Sequence, residues 1–327
     1  MSPPEHPRIV FGTTSFGTGA PQAKFTDEES AGPVLSTLRS RNVTQFDTAR
    51  AYPVGNPGAA EALLGTLNVG SWGQLSTKVT SWAPGSHRTE MIEESVKGSL
   101  AALQVDQVDI MYLHSPDRST PFEETCRAMD AEFKKGKFLR FGLSNYTVEE
   151  VEEIVAICER EGLVKPSVYQ GRYNAIIRDG EERLFPILRK HGISFYAYSP
   201  TAGGLFSGNV TKDTANVAGS RWDSNSILGV SYQGTYFKPA ILQAAQKTAE
   251  AAAAVGINGH ALALRWVVYH SILSAEHGDA VIIGVSSLQQ LTQNLDAIEA
   301  GPLDDGLVKL MDNVYETVKD DADPYHL

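Results

Sequence analysis

Eight short apolar runs punctuate this chain, mostly about 25 to 35 residues apart, with a helix-like stretch between successive runs. The run at 108–115, VDIMYLHS, is typical: rich in large apolar residues, too short for a helix, and ending in a histidine. Runs of this kind read as strands buried on both faces, which occur in parallel sheets covered by helices. The others lie at 9–12, 44–47, 75–79, 138–145, 167–170, 193–199 and 280–285. Helical patterns fall over 27–41, 58–67, 91–103, 121–135, 148–158, 184–191, 287–300 and 307–319. Pro33 comes early in its stretch, where a missing N–H costs little. Eight such units predict a closed (β/α)8 TIM barrel with its site at the C-terminal mouth. An open doubly wound sheet is the competing architecture; it normally shows GxGxxG after its first strand, and no GxGxxG occurs here.

All 327 residues fit one such barrel, so 1–327 is read as a single domain. Two segments stand apart. Residues 201–239 form a long connection rich in Gly, Ser and Asn, expected to cover the site, since long loops on a scaffold's mouth usually carry function. Residues 302–327 form a closing helix and tail that could lie over the mouth or at a subunit contact. Lys plus Arg at 28 against Asp plus Glu at 39 gives a net charge of −11, which argues against wrapping a nucleic acid and leaves a small anionic cofactor open. Cys126 and Cys158 sit in helical stretches without CxxC and read as core thiols. The polar, proline-rich 1–7 and the lack of any membrane-length apolar stretch predict a cytoplasmic protein with no membrane partner.

Residues at the carboxyl ends of barrel strands converge on one mouth. The last polar residues of the runs are Asp47, Lys78, His114, Ser144 with Asn145, Gln170, Tyr198 with Ser199, and Ser286 with Ser287; Tyr52 lies on the loop after Asp47. Each alone has a plainer reading: Asp47 a turn cap, Lys78 a solvated strand end, His114 a core histidine, Tyr52 a cover for apolar surface. Together they make a proton-transfer set. A phenol with a pKa of about 10 is a poor acid at neutral pH. An adjacent ammonium, Lys78, is expected to lower that pKa, with Asp47 holding the lysine and His114 orienting a carbonyl oxygen. No HxH-type cluster suggests a metal site.

FDTA of 46–49 with Tyr52, LSTK of 75–78, DIMYLH of 109–114 and GLSN of 142–145 resemble the aldo-keto reductase blocks, in family order. The likeness continues through YQGRYN of 169–174, YAYSP of 196–200 with AGG of 202–204, and GVSSLQQLTQN of 284–294. Within the family, HSPD of 114–117, YQG of 169–171 and HGDAVI of 277–282 are most similar to the aflatoxin-aldehyde reductase branch. The resemblance implies NADPH-dependent reduction of a small-molecule aldehyde or ketone, with Tyr52 as proton donor and Asp47, Lys78 and His114 completing the tetrad. It implies that Ser144, Asn145 and Gln170 hold the nicotinamide carboxamide, that Tyr198 stacks on its ring, and that Ser199 also contacts the cofactor. Residues 202–208, Gly204, Leu205 and Gly208 among them, would follow the pyrophosphate, though their composition alone also fits a linker. Ser286, Gln290 and Asn294 match positions at the adenosine end and Arg221 one near the 2′-phosphate; by themselves these also read as turn, helix-surface and loop residues.

Relatives in that branch usually carry an arginine shortly after a tyrosine in the long loop, where it holds a substrate carboxylate. Here Tyr232 is followed by Gln233, Gly234 and Thr235, and no arginine lies between Arg221 and Arg265. A buried carboxylate without a cation is costly. A neutral carbonyl substrate (aromatic, dicarbonyl or secondary-metabolite-like) is therefore expected, lined by His114, Tyr232, Tyr236 and Phe237, unless these aromatics only anchor the loop. The family's habits add a monomer or a homodimer as the expected assembly. They also add an alternative of another class: a slow-turnover regulatory subunit resembling the potassium-channel beta subunits.

Overall fold

The computed structural model describes residues 6–211 and 217–326; residues 1–5, 212–216 and 327, which include parts of the N-terminal segment, the long connection and the tail singled out above, lie outside the described residues. Eight parallel strands close a barrel in chain order: β1 (Arg8–Gly12), β2 (Gln45–Asp47), β3 (Gln74–Val79), β4 (Val108–Leu113), β5 (Phe138–Ser144), β6 (Pro166–Arg172), β7 (Ser194–Tyr198) and β8 (Ala280–Ile283). Between β1 and β7 run α1 (Glu28–Ser40), α2 (Ala59–Thr66), α3 (Thr89–Leu103), α4 (Phe122–Lys134), α5 (Val148–Glu161) and α6 (Gly180–Lys190). The β7–β8 excursion holds α7 (Ile227–Tyr236), α8 (Pro239–Ala254) and α9 (Gly259–Tyr269); α10 (Leu288–Glu299) and α11 (Asp305–Val318) close the chain.

Helix starts follow local side-chain chemistry. Asp27 accepts the Ser30 N–H while Ser30 returns a bond to the cap backbone, and Thr147 with Glu150 does the same for α5. Strand alternation sorts the core into two regions. Val10, Ile110, Tyr112, Val168, Tyr196 and Ile282 point into the barrel and fill it. Phe46, Met111, Leu113 and Phe141 point outward, under the helices. Gly142 on β5 has a packing reason: a Cβ there would come within 2.2 Å of the Tyr112 ring, which occupies the space.

The same parity places the chemistry. Residues at even positions on β4 and β6 face inward, so His114 follows Ile110 and Tyr112, while Gln170 and Arg172 follow Val168. Here the sequence reading needs correction: β6 runs two residues past its expected end at 170. Gly171, inside the strand, is required by packing, since a Cβ would meet Phe195 at 2.8 Å and Tyr169 at 2.9 Å. The long connection also differs from a plain loop, because α7 lies within it. The tail returns to the barrel: the Trp266 indole N–H donates to Asp312 of α11 at 2.9 Å, and the Tyr325 N–H donates to Asp179 at 3.1 Å. Cys126 and Cys158 are both buried thiols, not joined in a disulfide. Among the described residues no single helix is long and apolar enough to cross a membrane.

Candidate active site

Asp47 ends β2, and Lys78 is the penultimate residue of β3; both point into the barrel mouth. Lys78 is fully buried. Its Nζ donates to Asp47 Oδ2 at 2.7 Å and to the Thr48 carbonyl at 2.7 Å. The other carboxylate oxygen of Asp47 accepts the Gln170 amide at 2.7 Å, a bond that crosses the barrel from β6. The Lys78 ammonium lies 5.1 Å from the Tyr52 ring centre, and the Tyr52 and His114 rings meet edge-on at 5.7 Å. Strands β2, β3 and β4 thus bring a phenol, an amine, an imidazole and a carboxylate to one place.

Burial sets the charges here. It raises the Tyr52 pKa well above the ordinary phenol value, and the Asp47 charge adds to the rise. The net shift is upward and not the depression expected from Lys78, because burial outweighs what neighbouring cations contribute. Burial also lowers the Lys78 pKa, against the pull of Asp47. Burial, with the charge of Lys78, holds His114 well below 6.5, so its imidazole is neutral near pH 7. His114 Nδ1 is buried with no partner in the protein.

A cavity of about 810 Å³ opens above this set, a size suited to a cofactor with a small substrate. On its β5–β7 side, Asn145 is a hub: its amide N–H groups donate to the His114 carbonyl at 2.9 Å and to Ser144 Oγ at 3.1 Å, and its oxygen accepts the Tyr198 hydroxyl at 2.9 Å. At the β8–α10 end, Gln290 Oε1 accepts the Ser286 N–H at 2.8 Å, and Asn294 pairs with His260 at 3.0 Å. Gly203 and Gly204 lie between these ends at φ values of 68° and 87°, a backbone conformation that glycine adopts without strain.

Residues 8–316 match the model of the aldo/keto reductase family. The chain belongs to that family. It is therefore a (β/α)8 enzyme, an oxidoreductase of an NADP-dependent class that acts on carbonyl compounds. It is 38% identical to a human protein named aflatoxin B1 aldehyde reductase member 2, over 99% of this chain and 91% of that one. It is 36% identical to oxidoreductase sirO of Leptosphaeria maculans, with both chains covered in full. Aldo-keto reductase pigE of Monascus ruber is 30% identical over 100% of this chain and 99% of its own.

Most of the expected aldo/keto reductase site residues line the cavity: Asp47, Tyr52, His114, Ser144, Asn145, Gln170, Tyr198, Ser199, Gly204, Arg221, Tyr232, Ser286, Gln290 and Asn294. Lys78 lies beneath it. Four others do not reach it. Leu205 is buried in the core, and Gly208 packs against Ala249 of α8. Tyr236, expected to line a substrate pocket, is buried; its hydroxyl accepts the Asn174 amide at 3.1 Å. Phe237 stacks on Trp222 at 5.2 Å, so both aromatics build the loop itself. Arg221, expected at a 2′-phosphate, lies over the Tyr232 ring and donates to its hydroxyl at 3.0 Å.

Trp82, His260 and Arg172 are among the cavity residues that the sequence reading did not single out. Trp82, 63% exposed, follows β3 and has its ring 4.9 Å from that of His114. His260 opens α9, signalled only by the Asn258 cap before it. Arg172 ends β6. The neutral-substrate expectation rested on the missing arginine after Tyr232; Arg172, which it did not weigh, lies in the cavity wall with Arg221.

Proposed function

We propose that this enzyme reduces an aldehyde or ketone to the alcohol with NADPH, Tyr52 giving its proton to the carbonyl oxygen. The observation that carries the reading is the Lys78–Asp47 pair, held at 2.7 Å beneath the Tyr52 ring beside a neutral His114. NADPH, when bound, would supply the hydride that goes to the carbonyl carbon. The remaining work falls to the chain. A phenol kept protonated by burial carries a proton to give across the neutral range. A neutral imidazole retains one N–H that can orient the carbonyl oxygen toward Tyr52. The Lys78 ammonium faces the phenolate left after transfer and stabilises it.

The donor set suits the cofactor. Ser144, Asn145 and Gln170 supply amide and hydroxyl groups for a carboxamide, Tyr198 offers a flat ring face, and Ser286, Gln290 and Asn294 are grouped at the far end for an adenosine. Gly203 and Gly204 let the backbone approach a pyrophosphate closely. The test is NADPH oxidation with a panel of aldehydes and ketones, run beside NADH. Multiple turnovers with NADPH and weaker use of NADH are expected. Cofactor binding without turnover on any carbonyl would favour a regulatory subunit instead.

A further inference from the structure

We infer that Glu61 of α2 is a positioning residue for the proton transfer: through Arg50 and Thr77 it clamps the loop carrying Tyr52 to the strand carrying Lys78. The inference deepens the reading above and rests on it for the role of Tyr52.

Glu61 sits in the first turn of α2, with its side chain wholly buried. A buried carboxylate is costly without partners. This one takes both of its partners from the elements that carry the chemistry. Its Oε1 accepts the Thr77 hydroxyl at 2.6 Å, and Thr77 precedes Lys78 on β3. Its Oε2 accepts the Arg50 guanidinium at 3.1 Å, and Arg50 lies between Asp47 and Tyr52 on the β2–α2 loop. Backbone bonds close the frame. The Arg50 N–H donates to the Lys78 carbonyl at 3.3 Å, and the Ala60 N–H, next to Glu61, donates to the Tyr52 carbonyl at 3.2 Å.

The guanidinium lies in a shaped slot. Gly58 stands at a φ of 85°, and a Cβ there would come within 2.6 Å of Arg50 Nη1, so a side chain at 58 would displace it. Gly98 of α3 bounds the other side, where a Cβ would stand 3.5 Å from Arg50 Nε.

Glu61 also acts across Thr77 on the charge of Lys78. The ammonium is faced by Asp47 of β2, Glu61 of α2, Tyr112 and His114 on and after β4, Tyr198 of β7 and the Tyr52 ring. Asp47 and Glu61 are the carboxylates in this set, and both favour the charged amine against burial. Without the charge of Glu61, Lys78 gives up its proton at a lower pH, and the phenolate loses its cation.

The experiment compares wild type with Glu61→Gln, Thr77→Val, Arg50→Met and Arg50→Lys, each checked by melting temperature. One arm measures kcat, KM and the NADPH Kd across neutral and alkaline pH. The other follows the Tyr52 resonance by NMR in protein labelled with ¹³C at tyrosine Cζ, assigned by its loss in Tyr52→Phe, and needs no turnover. Misplacing a reacting group by an ångström costs up to about a hundredfold in rate. Folded Glu61→Gln and Thr77→Val are expected to lose about tenfold or more in kcat, with KM and the NADPH Kd within about twofold. Their Tyr52 resonance moves. The alkaline fall in kcat shifts to lower pH in Glu61→Gln but not in Thr77→Val, which keeps the charge. Arg50→Lys restores part of the kcat lost in Arg50→Met. Thr77→Val, which keeps the side chain's shape and every charge, decides the clamp if Glu61→Gln does not fold. Folded variants that keep the wild-type kcat, alkaline limb and Tyr52 resonance overturn it, even if their melting temperatures fall. Failure of wild type to turn over any carbonyl, with the Tyr52 resonance displaced in the variants, counts against the proposed function alone.

Discussion

The floor of the mouth and the connection that covers it are built on opposite principles. On the floor, Asp47, Lys78 and Gln170 come from three strands and are linked by bonds of 2.7 Å, with scarcely any exposure to solvent. Their positions are dictated by strand parity and barrel closure. In the connection, Trp222, Tyr232, Tyr236 and Phe237 pack on one another, and Asp223 accepts N–H groups from Gly219 and Asn225. Its polar ties to the rest of the chain include Arg172 to Thr235, Tyr232 to Ser199, Asn174 to Tyr236 and Lys24 to the Gly219 carbonyl, while Leu205, Phe206, Trp222 and Tyr236 join the buried core. The difference sets the floor by the positions of strand ends and the cover by the packing of side chains within one connection.

The comparison breaks most readily at Lys78. Lys78→Met leaves the Asp47 carboxylate buried without its cation, which costs about 3–5 kcal/mol of stability. A large drop in melting temperature and loss of NADPH oxidation are expected. Adding Asp47→Asn should recover much of the melting temperature and none of the activity. Recovery of both would mean the pair is structural only.

Next in size is Trp222→Ala, which removes the ring at the centre of the loop cluster. The loss should stay local, because a loop unit opens at a lower free energy than the barrel. Limited proteolysis within 201–238 should speed up about tenfold or more while the melting temperature barely shifts. An equally large fall in melting temperature would show that the two regions form one cooperative unit.

The smallest effect is on pH dependence. His114 has its pKa depressed from 6.5 and Tyr52 has its own raised from 10.0, so neither group changes charge between those values in the free enzyme. The imidazole gains a proton only well below pH 6.5, and the phenol loses one only well above pH 10. No inflection in kcat/KM for reduction is expected from His114 or Tyr52 across that interval. An inflection near 6.5 that vanishes in His114→Asn would contradict this charge assignment.

The same contrast explains what could be read from the chain. Asp47, Lys78, His114 and Gln170 were legible because a short apolar run with a polar end has few places to go in a closed barrel. Arg172 was missed because its run was read to end at Gln170, and Gly171, the next residue, proves to be a packing requirement beneath Phe195. Trp82 and His260 belong to elements whose path over the mouth no local pattern reports. Tyr236 and Phe237 were aromatic residues in a loop, and aromatic residues there serve a pocket or the loop's own core; tertiary packing chose the second.

The central claim is that the proton comes from residue 52, and the most direct measurement is single-turnover NADPH oxidation by Tyr52→Phe beside wild type, with the NADPH Kd measured on the same samples. General acid catalysis contributes roughly 10²–10⁴-fold. The account predicts a fall of about that size in the rate of the chemical step, with NADPH still bound. A variant that oxidises NADPH within a few-fold of the wild-type rate would contradict it.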